Sequence, residues 1–255
     1  MKLIRFLYSQ KTYFGDIESE QITFWSNAPW LGGSRLTETV LIKDVKLLAP
    51  CQPSKVVATA INYPGATGLK KEANEPLFFI KPSSSVIGPD QPIISPFDDV
   101  PVWGECELGI VIGKRLQRAN AKEVEEGILG YTIGNDVSAE NIQGWDHHLA
   151  RSKGADTFCP LGPWIDTDFN PQEKMISGYH NAELMRKGCL SERLSKEPDL
   201  LVWLSSWMTL EPGDVVLTGA PTRVRDRIYF KDGDHFTCRI EGLGELSNPF
   251  QELHG

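Results

Sequence analysis

The stretch Trp103-Gly-Glu-Cys-Glu-Leu-Gly-Ile-Val-Ile-Gly-Lys114 limits the fold more than any other. It opens on alternating residues and closes in a branched apolar run, the pattern of a buried β-strand. Side chains at i and i+2 of a strand share a face. Glu105, Glu107, Gly109 and Val111 therefore point one way, and Cys106, Leu108, Ile110 and Ile112 the other. Two carboxylates on one face of a half-buried strand repel each other and are costly to desolvate unless positive charge lies between them. Two readings are open. The face is simply solvated, or it holds a hard divalent cation, which prefers carboxylate oxygen.

What surrounds the strand favours the cation. Asp136 follows in Gly130-Tyr-Thr-Ile-Gly-Asn-Asp-Val-Ser-Ala139, and Lys153 opens Lys153-Gly-Ala-Asp-Thr-Phe-Cys-Pro-Leu-Gly-Pro-Trp164. Upstream stands Phe79-Ile-Lys-Pro-Ser-Ser-Ser-Val-Ile-Gly88, and downstream Leu210-Glu-Pro-Gly-Asp-Val-Val-Leu-Thr-Gly-Ala-Pro221. In this order and near this spacing, the five blocks resemble the fumarylacetoacetate hydrolase family from about Pro53 to Asn248. The resemblance implies a β-rich α+β protein: a mixed β-roll catalytic domain over residues 51–255 behind a small N-terminal β domain over residues 1–50. It also implies a homodimer.

A chain of 255 residues is long enough for one large core, or for a main domain with a small appendage. The net charge of −8, with no Lys/Arg block, disfavours a nucleic-acid partner, which needs a basic footprint. No apolar run approaches the ~20 residues of a membrane-spanning helix, and Met1 to Ser9 hold too short an apolar run for a signal peptide. Five cysteines without regular spacing suggest reduced thiols in a cytoplasmic protein.

Leu3 to Tyr8 and Gln21 to Trp25 read as short strands, with a tight turn expected at Tyr13-Phe-Gly-Asp16. Val56 to Ile61, Phe78 to Ile80, Asp214 to Thr218 and Phe236 to Ile240 read as further strands. Ala121 to Leu129 is expected as a helix with Gly130 beyond its end, and Ala182 to Leu194 and Asp199 to Met208 also have helical character. Leu69 to Asn74 reads as a short helix or a loop. Gly242-Leu-Gly244 reads as a turn rather than a phosphate loop.

By resemblance, Glu105, Glu107 and Asp136 are metal carboxylates. With no soft ligand among them, Mg²⁺ is favoured, with Mn²⁺ or Ca²⁺ as alternatives. Lys153 resembles the family's active-site lysine, placed to stabilise negative charge on an oxyanion. Gln143 and Thr218 match substrate-contacting positions. Lys81 and Ser83 to Ser85 are assigned no role. Two departures stand out. Hydrolytic members follow Asn-Tyr with a histidine and a glutamate that activate water, and here Ala66 and Leu69 occupy those places after Asn62-Tyr63. The family's arginine after Asn-Asp-Val-Ser-Ala is Glu140. His147 and His148 are either a surface pair or a substitute base.

The function expected is that of a Mg²⁺-dependent enzyme acting on a small 2-oxo mono- or dicarboxylic acid through a metal-stabilised enolate. Decarboxylation and tautomerisation or isomerisation, of oxaloacetate-like or 2-hydroxyhepta-2,4-diene-1,7-dioate-like substrates, need no activated water and come first. Hydrolytic C–C cleavage of acylpyruvate-like acids is the alternative, and a non-catalytic metal-dependent binding protein a further one.

Overall fold

The computed structural model describes residues 1–65, 75–141 and 144–253. Five strands come first: β1 (Lys2–Tyr8), β2 (Lys11–Glu18), β3 (Gln21–Trp25), β4 (Arg35–Leu41) and β5 (Lys46–Leu48). Tyr13 to Asp16 lie inside β2 and make no turn; the reversal comes earlier, at Ser9 and Gln10, both with positive φ. Gly15 is needed for close approach instead, since a Cβ there would meet the Thr23 carbonyl oxygen at 2.5 Å. Phe6, Ile4, Ile17 and Ile22 form a small core of their own.

Next come β6 (Lys55–Ala60), β7 (Leu77–Pro82), β8 (Val86–Ile87), β9 (Ile93–Ser95), β10 (Val102–Trp103) and β11 (Cys106–Ile112). Helix α1 (Ala121–Gly127) starts with a capping box between Asn120 and Glu123. It ends two residues sooner than its sequence suggests, because Ile128 already pairs with Ile112 and opens β12 (Ile128–Asn135). Gly130 therefore belongs to a strand. Then follow β13 (Ser138–Ala139), the short α2 (Ala150–Gly154), β14 (Cys159–Asp166), β15 (Met175–His180) and β16 (Glu183–Cys189). Strand β16 replaces the expected helix over Ala182 to Leu194. Its helix-favouring residues are overridden by antiparallel pairing with β15 from Met175–Cys189 to His180–Glu183. Helix α3 (Glu197–Ser205), β17 (Val215–Leu217), β18 (His235–Ile240) and β19 (Gly244–Glu252) complete the chain, and Gly242 turns between the last two strands.

One large sheet runs β4-β3-β2-β1-β14-β12-β11-β17-β6-β7, and a second runs β16-β15-β18-β19-β9. The main core lies between them, where Leu108, Ile133 and Phe158 meet Ile176, Phe236 and Leu246. Ile110 and Ile112 pack instead with Val124, Leu200, Leu201 and Leu204 of the helices. Every residue of β11 is buried, so the strand is covered on both faces rather than one. A central sheet with the second sheet on one face and helices on the other follows from this covering of a central strand. No helix among the described residues is long and apolar enough to cross a membrane.

Candidate metal centre and active-site cleft

Register builds the site. Antiparallel pairing sets Cys106 opposite Asn135 and Glu107 opposite Gly134, so the start of β11 meets the end of β12. The Asp136 N–H donates to the Glu105 carbonyl at 2.9 Å, and the Glu105 N–H to Asn135 Oδ1 at 2.9 Å. On the other side β17 pairs with β11, and the Gly219 N–H just past its end donates to Glu107 Oε2 at 2.7 Å. Gly219 has φ +88°, a conformation that favours glycine. Oxygens of Glu105, Glu107 and Asp136 thereby come within 4.8 Å of one another.

Lys153 rides on α2, whose single turn is fixed by the Ser152 N–H donating to Asp146 Oδ2 at 2.6 Å. Its ammonium donates to Asp136 and to Ser138 Oγ, lies 3.6 Å from Glu105, and sits over the Phe79 ring. Two further cations that the sequence left unassigned join it. Lys81, with no exposed surface, donates to Asp136 Oδ1 at 2.6 Å and to the Val137 carbonyl at 3.0 Å. Arg186 of β16 pairs with Glu105. Lys81 was detectable, because in β7 it shares the inward parity of buried Phe79 while Ile80 faces out. Arg186 was not, because its segment has the composition of a helix.

The charges are strongly unequal in setting. Burial pushes the Glu105 carboxyl up, but Lys153, Arg186 and the Trp103 indole N–H outweigh it and bring it to about 2. Glu107 is pushed well above the carboxylate range, by burial first and then by repulsion from Asp136 and Glu105. Burial would lower Lys153, yet Asp136 and Glu105 outweigh it and raise it, so it stays an ammonium. Three convergent oxygen donors, one still repelled by the other two, fit a hard divalent cation, which would relieve that repulsion.

These groups open onto a cleft of about 1010 Å³, lined also by Thr59, Ile61, Ala220 and arginines of the segment after β17. Ile61 lines it with φ +60°, a strained conformation for a β-branched residue. Thr218 is fully buried and does not line the cleft; its hydroxyl has no partner among the described residues, and its carbonyl accepts from Asn62 at 2.8 Å. Gln143, Ala66 and Leu69 lie outside the described residues, as does the span Leu69 to Asn74. His147 and His148 are exposed and are not among the residues that line the cleft.

The chain is similar to known proteins along most of its length. The model of the fumarylacetoacetate (FAA) hydrolase C-terminal domain matches residues 55–251, and that of the Rv2993c-like N-terminal region matches residues 1–50. Protein Rv2993c of Mycobacterium tuberculosis is 42% identical over 214 residues, covering 82% of this chain and 79% of its own. The mitochondrial oxaloacetate tautomerase Fahd2a of Rattus norvegicus is 35% identical over 219 residues, 80% of this chain and 69% of its own. Among solved structures, 5-carboxymethyl-2-hydroxymuconate delta-isomerase from Mycobacterium smegmatis superposes with a TM-score of 0.91 at 38% identity, over 99% of this chain and 100% of that one. Maleylpyruvate hydrolase from Sphingobium sp. SYK-6, in complex with manganese(II) and pyruvate, superposes with a TM-score of 0.78 at 25% identity, over 99% of both chains.

Proposed function

This chain belongs to the fumarylacetoacetate hydrolase family, and from that premise we propose that it is a Mg²⁺-dependent enzyme that decarboxylates or tautomerises a small oxaloacetate-like 2-oxo acid. The carrying observation is the convergence of Glu105, Glu107 and Asp136 beside the Lys153 ammonium in one cleft.

Glu105, Glu107 and Asp136 would hold the cation; their all-oxygen donor set suits Mg²⁺, and the manganese in the maleylpyruvate hydrolase keeps Mn²⁺ as the alternative. When bound, the cation supplies Lewis acidity that lowers the energy of negative charge developing on the 2-oxo oxygen. The chain's own residues do the remaining work. Lys153 offers a fixed positive charge to a substrate oxygen and is itself held by Asp136 and Ser138. Lys81 keeps Asp136 oriented from behind, and Arg186 does the same for Glu105. Gln143 is assigned to substrate contact by the family resemblance; Thr218, fully buried and absent from the cleft lining, is not.

The choice of reaction rests on the segment from Asn62 to Leu69, which contains no histidine to activate water. The relationship to an oxaloacetate tautomerase points the same way. Hydrolytic C–C cleavage is the second reading, favoured by the likeness to maleylpyruvate hydrolase. All five cysteines are free thiols, in keeping with a cytoplasmic location.

The test compares kcat/KM for oxaloacetate and acetylpyruvate in saturating Mg²⁺. General-base help is worth ~10²–10⁴ in rate, so cleavage without it should be slow and oxaloacetate should lead. A lead of about tenfold or more for acetylpyruvate would overturn the ordering. Chelation of the metal should abolish turnover of both.

A further inference from the structure

Arg186, Arg223, Arg225 and Arg227 all line the cleft, and only Arg186 is ion-paired with the carboxylate trio. The last three come from Pro221-Thr-Arg-Val-Arg-Asp-Arg-Ile-Tyr229, at alternate positions of one segment. That segment is anchored along its length. Arg186 Nη1 donates to the Pro221 carbonyl at 2.6 Å, Arg223 forms an antiparallel bridge with Arg186, and the Val224 N–H donates to the Met185 carbonyl at 2.9 Å. At its far end the Phe230 N–H donates to the Val102 carbonyl at 2.8 Å.

Two of the segment's guanidinium groups have no anionic partner among the described residues. Arg225 pairs with Glu183 outside the trio. Arg227 lies 3.6 Å from the centre of the Trp103 ring, and its buried Nε has no partner among the described residues. The same indole donates to Glu105 Oε1 at 3.0 Å, so the ring is a spacer between Arg227 and the trio. Arg223 is exposed, and no ion pair or hydrogen bond holds its side chain among the described residues. Lys153 and the four arginines face Glu105, Glu107, Asp136 and Asp226 on the cleft wall. With all four carboxylates ionised the wall is one charge positive, and a bound divalent cation adds two more. A substrate with a single carboxylate would leave that excess, and the fork-shaped donors of Arg223 and Arg227, unanswered.

We propose that Arg223 and Arg227 form a second carboxylate-binding position, and that the substrate is a 2-oxo dicarboxylate rather than a monoacid. Its 2-oxo-acid end lies at the trio and its distal carboxylate on these two guanidinium groups. The placing of the first end rests on the function proposed above; the pairing of the second end with arginine does not.

Two inert 2-hydroxy acids separate the ends, because malate carries a distal carboxylate and lactate has none. Isothermal titration in Mg²⁺ should show malate binding about tenfold or more tighter than lactate. The preference should shrink to about threefold or less in the double variant R223Q/R227Q, with lactate affinity unchanged, and by an intermediate amount in R223Q alone. Arg223 is exposed, so the single variant should keep its fold even if R227Q does not. A preference that survives in R223Q and in the folded double variant overturns the proposal. So does a wild-type protein that binds the two acids equally or binds neither. Binding of both acids undiminished by chelating the Mg²⁺ refutes the role of the trio instead, and the malate-to-lactate ratio still reports on the arginines.

Discussion

Glu107 is the residue on which the metal reading turns, because burial and two neighbouring carboxylates push its carboxyl well above the ordinary range. A cation that binds the folded chain and not the unfolded one stabilises it by mass action. With metal at about a hundred times its dissociation constant, the expected gain is ~2.7 kcal/mol. Glu107→Ala should abolish the metal-dependent rise in melting temperature, measured with and without Mg²⁺. An unchanged rise in that variant would refute the assignment. Glu105 and Glu107 were legible in the sequence because a strand's period of two places them on one side, and Asp136 was legible only through the family resemblance. The trio's counter-charges were less so. Lys81 reaches Asp136 from β7, and Arg186 reaches Glu105 from the second sheet, contacts that depend on how distant strands stack. Such contacts have no local signal beyond parity.

At the scale of elements, strands with branched apolar runs were readable and those with mixed composition were not. Val56 to Ala60, apolar but for Thr59, and Val215 to Leu217, apolar throughout, read as buried strands. Strand β16, with Glu, Arg and Lys, took its conformation from β15 and not from its own residues. The joint between β15 and β18 invites a test. Asp234 accepts hydrogen bonds from His180 Nε2 at 2.8 Å, Asn181 Nδ2 at 2.9 Å and the Lys231 N–H at 2.8 Å. Burial pushes its carboxyl up, but Asn181, the Lys231 N–H and His180 outweigh it and hold it below the ordinary 3.8. A depressed carboxyl contributes stability that is complete above its unfolded value and is lost as pH falls through its folded one. Asp234→Asn should therefore cost about 1 kcal/mol near neutrality, roughly 2–4 °C in melting temperature. The gap from the wild type should close as the pH falls below 3.8. A gap that persists at the lowest pH would show that the charge is not what matters.

For the whole molecule, the edge of the large sheet bears on assembly. Strand β7 ends the strand order, and its Leu77 and Ile80 are half exposed, as is nearby Trp207, whose ring meets that of Phe78. An apolar sheet edge invites cover, and the homodimer expected by resemblance would supply it. Light scattering at micromolar concentration should give twice the mass of one chain, and Ile80→Lys should shift the population toward the single chain. A one-chain mass for the wild type would exclude this. The opposite flank has a different consequence. Strand β1 joins the large sheet through Lys2 with Asp166 and Leu3 with Ile165. During synthesis the first hairpin leaves the ribosome early, but its partner strand emerges only after most of the chain has been made. At ~5–20 residues per second that interval is roughly 8 to 30 seconds. Through that time the outer backbone groups of Lys2 and Leu3 have no strand to pair with, so nascent chains are most prone to misassociate before Asp166 appears.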